Sequence, residues 1–148
     1  MTPKYIRFPV TDVECLAAMA TFNDQPIPNC VGTIDGSHIR IIRPHNYSTD
    51  YYNLKGYYSV LLQAVCDGNC KFLSLSCGHP GSIHDATMMR ISGFTGKSLQ
   101  RSFYSYRCLN KTYQGLPLVI LGDSEYTKLP WLLVPYAGTN ITQANWVN

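Results

Sequence analysis

Charge is what this sequence has least of. Asp, Glu, Lys and Arg together make up 14% of its 148 residues, against about a quarter in ordinary soluble domains. Tyr, Asn, Ser and Thr must therefore carry the surface. The balance of sign is mild as well: a formal charge of +3 permits a nucleic-acid partner without arguing for one. Long apolar runs are missing. None reaches the roughly 18 residues that a membrane-spanning helix needs, and the opening MTPKYIRFP has no apolar signal core. The expectation is a soluble chain with no membrane partner and no secretion signal. Internal repeats and low-complexity tracts are absent too. The length suits one domain with its own core, residues 1–29 forming a helix and lead-in and residues 30–148 the main body.

Cysteine is present in even number, at positions 15, 30, 66, 70, 77 and 108, so disulfides must be weighed. With no signal segment, and with Cys15, Cys30 and Cys66 in apolar surroundings, buried free thiols fit better. Cys66-x3-Cys70, followed by Cys77 and His79, has the residue types of a zinc site. The intervening Asp67-Gly68-Asn69 reads instead as a hairpin turn between two strands.

In chain order, Thr11 or Asp12 can cap a helix through Val13, Leu16, Ala17, Met19 and Ala20, with Glu14 in its first turn. Pro26 and Pro28 end it. VGTIDGSHIRII, residues 31–42, is β-branched and reads as a strand with one carboxylate, Asp35, in its middle. A polar, Tyr-rich loop follows. Ser59–Asp67 and Lys71–Gly78 are apolar runs joined by the short turn, which predicts a hairpin. Asp85 or Ser82 would cap a helix over Ala86–Ser92, and a second short helix is expected over Gly96–Tyr104. Leu116–Gly122 is a continuous apolar run of strand length, as in a strand covered on both faces. Trp131–Pro135 is a further apolar stretch between prolines.

The pattern is antiparallel strands first, then helices, then a buried strand that ends in Asp. Asp35, Asp85 and Asp123 each stand where a strand or helix meets a loop. Three such carboxylates converge if their elements are neighbours, and carboxylate oxygens are natural ligands of Mg²⁺ and Mn²⁺. Each also has a plain structural reading. Asp35 suits a turn in a Gly-broken strand, Asp85 a helix cap, and Asp123 the start of a turn before Tyr126.

Four stretches in order, VGTIDGSHIRI, YYNLKGYYSVLLQAVCD, GHPGSIHDATMM and ILGDSEYTKLPWLLVPY, resemble the nuclease domain of PIF/Harbinger transposases and their domesticated relatives. That is the DDE superfamily. The resemblance covers about Tyr5 to Asn148. It implies an α/β, ribonuclease H-like mixed sheet with an antiparallel first three strands and flanking helices, in which the first strand pairs with the strand leading to Asp123. It implies that Asp35, Asp85 and Asp123 are catalytic metal ligands for Mg²⁺ or Mn²⁺, that DNA is the substrate, and that residues 30–148 are a catalytic core. It also implies a separate Myb-like protein for DNA binding and nuclear import, and so a nuclear location, or a cytoplasmic one without that partner.

Two departures from the family pattern stand out. Glu125 replaces the Gly of the family's GDSGY and is not read as a ligand. The family's catalytic Glu lies on a helix well past that motif, whereas the sequence reaches only Asn148. The expectation is thus a core without its last helix, incomplete at the C-terminus and weak in turnover. A catalytically inactive domain kept for protein or chromatin binding is the alternative reading. Arg40, Arg43 and Lys55, with Tyr51, Tyr52, Tyr57 and Tyr58, form a basic and aromatic stretch suited to DNA phosphates and stacking. A solvated loop over packed tyrosines is the plainer reading. His38 and His84 suit packed or surface positions at least as well as phosphate contact.

Overall fold

The structure is a computed structural model that describes residues 5–23, 27–91 and 112–135. Helix α1 (Asp12–Ala20) opens it, and of the two candidate caps Thr11 is the one used. The Thr11 hydroxyl accepts from the Glu14 backbone N–H at 3.2 Å, and the Glu14 carboxylate accepts from the Thr11 N–H at 3.1 Å. This reciprocal box satisfies two donors that a helix start otherwise leaves orphaned. Arg7 pairs with the same carboxylate. One face of the helix buries Cys15 and Ala18.

Strand β1 (Cys30–Arg40) runs unbroken through Asp35 and Gly36. The turn reading of this Asp-Gly pair is therefore corrected, because Asp35 and Gly36 stay in the ladder opposite Ala64 and Gln63 of β2 (Ser59–Cys66). A short 3₁₀ turn (Ser48–Tyr51) interrupts the Tyr-rich loop between these strands. β2 pairs antiparallel with β3 (Phe72–Pro80), which is the expected hairpin. The expected turn at Asp67-Gly68-Asn69 is there, closed by backbone bonds between Asp67 and Lys71 and between Cys70 and Asp67. The left-handed residue is Cys70, at φ 62°, and the Asp67 carboxylate accepts from the N–H groups of Asn69 and Lys71 at 2.9 Å each. Gly68 answers another need. A Cβ there would lie 2.1 Å from the Thr21 carbonyl oxygen, because the turn presses on the end of α1 and the Gly68 N–H donates to the Thr21 hydroxyl at 2.8 Å.

Helix α2 (Asp85–Ile91) follows. The helix expected over Gly96–Tyr104 lies outside the described residues. The single strand expected over Leu116–Gly122 is divided. β4 (Thr112–Tyr113) and β5 (Leu116–Pro117) form a small hairpin of their own, turned by Gln114 and Gly115 at positive φ. β6 is only Val119–Leu121. Pro117 has no N–H for a second ladder, and the Asn29 amide holds the hairpin by donating to the carbonyls of Tyr113 and Leu116 at 2.9 and 3.0 Å.

The expectation of burial on both faces holds for β6. Leu118 and Ile120 enter the main core with Phe8, Ile34, Val65 and Leu132, while Val119 packs with Phe22 and Cys30 in a second cluster. β7 (Leu132–Leu133) completes a five-stranded sheet in the order β3-β2-β1-β6-β7. β1 pairs antiparallel with β2 and parallel with β6, and β6 pairs parallel with β7. This is a mixed α/β sheet with an antiparallel first three strands, consistent with a ribonuclease H-like fold. Among the described residues no helix is long and apolar enough to cross a membrane.

Two outcomes follow from this packing. Gly68→Ala should destabilise the fold by about 1–3 kcal/mol, since the added methyl meets backbone rather than a yielding side chain; a urea unfolding midpoint reads this directly. Burial pushes the Cys30 thiol up from the usual 9.0 to about 11. Native protein at pH 8 should then be alkylated at exposed Cys70 and Cys77 and spared at Cys30, as peptide mapping would show. The sign of the linkage is fixed. The unfolded thiol ionises first, so Cys30 supports the fold fully below pH 9.0, and that support is lost as pH rises through about 11.

Candidate functional site

The position of Asp35 follows from the register of β1. On one side it stands opposite Ala64. On the other, Thr33 pairs with Leu121, the last residue of β6. The extended path continues one residue further, since the Gly122 N–H donates to the Leu133 carbonyl at 2.9 Å. A Cβ on Gly122 would lie 3.2 Å from the Ile34 side chain. With Gly122 beside Ile34, the next residue on each strand is an aspartate. Asp123, two residues past the end of β6, therefore extends the parallel register to the level of Asp35 on β1. Both side chains are exposed.

Each carboxylate is held by its own backbone. One Asp35 oxygen accepts from the Gly36 N–H at 2.7 Å, and one Asp123 oxygen accepts from the Glu125 N–H at 3.0 Å. The Tyr126 N–H closes the same turn on the Asp123 carbonyl at 3.3 Å. Buried Tyr126 anchors the turn from below, its hydroxyl accepting from Gln63 of β2 at 3.4 Å. The second oxygen of each carboxylate has no hydrogen bond among the described residues, so both keep lone pairs for a ligand. Glu125, whose N–H serves Asp123, is an exposed turn residue.

Asp85 is the first residue of α2, and the capping position before it belongs to His84, whose carbonyl accepts from Thr87 and Met88 at 2.9 Å each. The expectation that Asp85 or Ser82 caps this helix is corrected accordingly. The Asp85 side chain lies outside the described residues. Among the described residues no three His, Cys, Asp or Glu side chains gather as a metal cluster. The zinc pattern is also separated by the hairpin register. Cys66 pairs with Phe72, and Cys77 pairs with Leu62, four residues along β2 and so about 13 Å away, too far for two thiolates on one ion.

The basic and aromatic residues sit where β1 outruns β6. β1 continues past Thr33 to Arg40, and the returning chain enters β2 at Ser59. The Arg40 guanidinium lies 4.3 Å over the Tyr57 ring and that of Arg43 lies 5.9 Å over Tyr58. Tyr52 meets Tyr58 edge-on at 5.2 Å. Lys55 is exposed on the turn between Asn53 and Gly56, closed by a 3.0 Å backbone bond.

Beneath this surface is a polar network that the sequence reading missed. Ser59 is fully buried and Asn53 nearly so. The Asn53 amide donates to the Ser59 hydroxyl at 2.8 Å, and its carbonyl oxygen accepts from the N–H groups of Lys55 and Tyr57 at 2.9 and 3.3 Å. His38 joins through Nδ1, 3.0 Å from the same hydroxyl, so its side chain is tied into the loop scaffold. The signal was present in the sequence: the Asn53-x-x-Gly56 turn pattern and a serine at an inward-facing position of β2.

Comparison with known proteins places this sequence in a family. The family model described as DDE superfamily endonuclease matches residues 34–147, which include Asp35, Asp85 and Asp123. The chain is 37% identical over 121 residues to Protein ALP1-like of Arabidopsis thaliana, covering 76% of this chain and 28% of that protein. It is 31% identical over 113 residues to the Arabidopsis thaliana protein named Antagonist of Like Heterochromatin Protein 1, covering 74% of this chain and 28% of that one. It is 26% identical over 133 residues to human HARBI1, whose name includes the word nuclease, covering 89% of this chain and 35% of that protein. The chain thus spans about a third or less of the length of these curated relatives. No solved structure matches it. The matched stretch covers most of the sequence, and on that ground the chain belongs to the DDE superfamily of endonucleases.

Proposed function

We propose that this chain forms part of the catalytic core of a divalent-metal-dependent DNA endonuclease, with Asp35, Asp85 and Asp123 as metal ligands. The observation that carries the reading is the in-register placement of Asp35 on β1 and of Asp123 just past the parallel β6, inside the segment that fits the endonuclease family. Two exposed carboxylates, each with a spare oxygen, suit Mg²⁺ or Mn²⁺, which are commonly held by one or two carboxylates with water and phosphate completing the shell. A bound ion would supply Lewis-acid polarisation of a phosphodiester oxygen and a water of lowered pKa. The protein's own contribution is to hold Asp35 in the β1 ladder and to fix the Asp123 turn through Tyr126. Arg40, Arg43 and Lys55 would contact the DNA phosphates from the neighbouring loop.

The resemblance to Harbinger transposases adds two elements to this reading, a nuclear location and a separate Myb-like DNA-binding partner. The relative named for antagonism of a heterochromatin protein supports a second reading, a chromatin-binding domain that has kept its carboxylates without using them.

Mn²⁺ titration followed by electron paramagnetic resonance separates the two. Asp35→Asn and Asp123→Asn should each weaken Mn²⁺ binding by about tenfold or more, roughly 1.4 kcal/mol. Their urea midpoints should stay within about 0.5 kcal/mol of the parent, because Asn preserves both backbone-accepting turns and the sites are exposed. Equal Mn²⁺ binding by parent and variants would sink the metal site and leave the chromatin-binding reading standing.

A further inference from the structure

We infer that the paired stacks Arg40–Tyr57 and Arg43–Tyr58 form a preorganised clamp for the phosphate backbone of DNA flanking the bond to be cut. The inference rests on the nuclease reading for its substrate. It adds where the strand is gripped and which cations do the gripping.

Three observations carry it. Both guanidiniums lie over tyrosine rings, at 4.3 and 5.9 Å. A guanidinium held over a ring by its charge keeps its N–H donors available for phosphate oxygens. Neither has an ion-pair partner among the described residues, so nothing there competes with an incoming anion. Both side chains are exposed.

The second observation is the rigidity of the platform. The N–H of Tyr57 donates to the Asn53 side chain at 3.3 Å and its carbonyl accepts from the Asn53 N–H at 3.0 Å. The Tyr58 carbonyl accepts from Ile41 at 2.9 Å. Asn53 is in turn fixed on buried Ser59, and Gly81 lets the next segment close over that serine, since a Cβ at Gly81 would fall 2.1 Å from the Ser59 hydroxyl. Rings held this way present the arginines at little further entropic cost on binding.

The third is position. Arg40 stands five residues beyond Asp35 on the same strand, about 17 Å at the strand rise. A DNA strand covers that length in about five nucleotides. The odd separation turns the Arg40 and Asp35 side chains to opposite faces of β1, so the clamp grips phosphates away from the scissile one, where β1 runs on past its pairing with β6. Lys55 has no ring contact and no ion pair among the described residues. It adds charge without orientation.

The test uses the 148-residue chain and a fluorescein-labelled 30-base-pair duplex of arbitrary sequence, followed by anisotropy in EDTA between 50 and 200 mM KCl. Arg40→Ala and Arg43→Ala should each reduce the slope of log affinity against log salt by about 1 and weaken binding about eightfold near 0.1 M salt, the counterion-release value for one phosphate. Tyr57→Leu keeps the Arg40 charge, so it should weaken binding with the slope unchanged. Lys55→Ala should fall short of either arginine variant. Thermal melts of each variant show whether it is folded, and Arg40→Lys provides a milder second variant, expected to keep the slope and lose affinity.

Unchanged slopes in both arginine variants would overturn the clamp, as would a parent chain that does not bind the duplex. Because the assay contains no metal, Asp35→Asn should not weaken DNA binding, and the arginine variants should bind Mn²⁺ like the parent. A clamp that fails while Mn²⁺ binding depends on Asp35 overturns this inference alone. Salt slopes that fall as expected while Mn²⁺ binding ignores Asp35 overturn the nuclease reading alone.

Discussion

The arrangement depends on one constraint, the pairing of β1 on both sides and in opposite senses. Antiparallel pairing with β2 fixes which residues of β1 face the core, because side chains alternate and a one-residue slip would turn Ile34 outward. Parallel pairing with β6 fixes something different. A parallel neighbour arrives from the far side of the sheet, so the chain after β6 emerges beside the middle of β1. Asp123 is consequently delivered next to Asp35, although the two are 88 positions apart in the sequence. Neither aspartate needs to hold the fold. Their backbone contacts are local, and the apolar residues on either side of them do the holding.

That division explains how Asp35 can sit in a strand at all. An aspartate is a poor strand former because its side chain competes for nearby backbone donors, and here it does so, accepting from the Gly36 N–H. The cost is modest, since the carboxylate stays in water and the strand is fastened by buried Val31 and Ile34 and by the full ladder to β2. The Asp123 turn is similar. Its carboxylate is exposed while Tyr126, Leu132 and the Gly122 approach to Ile34 secure it from the core. Both carboxylates are thus solvated yet fixed in place by a well-packed base.

Much of this was legible in the residues, for reasons that differ from element to element. Helix α1 could be read because Thr11 and Glu14 have capping-box spacing, and the β2–β3 hairpin because two β-rich runs flank a turn. The strand nature of residues 31–42 was legible from β-branching, but not that it would pass through Asp35-Gly36 unbroken, since local preference at those two positions points to a turn and only the long ladder overrides it. The run Leu116–Gly122 looked like one strand because apolarity does not show where hydrogen bonds go. Pro117 and the distant Asn29 divide it, and a bond from residue 29 to residues 113 and 116 leaves no local trace. Gly68 illustrates the same limit. Its place in a turn was evident, while the reason for glycine lies in the end of α1.

The loop between β1 and β2 shows why buried polar residues are the hardest to read and the most informative once seen. In sequence Asn53 looks like an ordinary loop residue and Ser59 like the start of a strand, yet they are nearly or wholly buried, and burying an amide and a hydroxyl is favourable only when their partners are supplied. Here they are: Asn53 serves two backbone N–H groups, its own N–H meets Tyr57, and Ser59 stands between Asn53 and His38. A network of this kind stabilises little relative to an apolar filling. What it does impose is one conformation on a stretch otherwise rich in exposed polar residues. A plain solvated loop would not need that. A loop that holds Tyr57 and Tyr58 beneath Arg40 and Arg43 would, and β1 fixes how far Arg40 stands from Asp35 by carrying both.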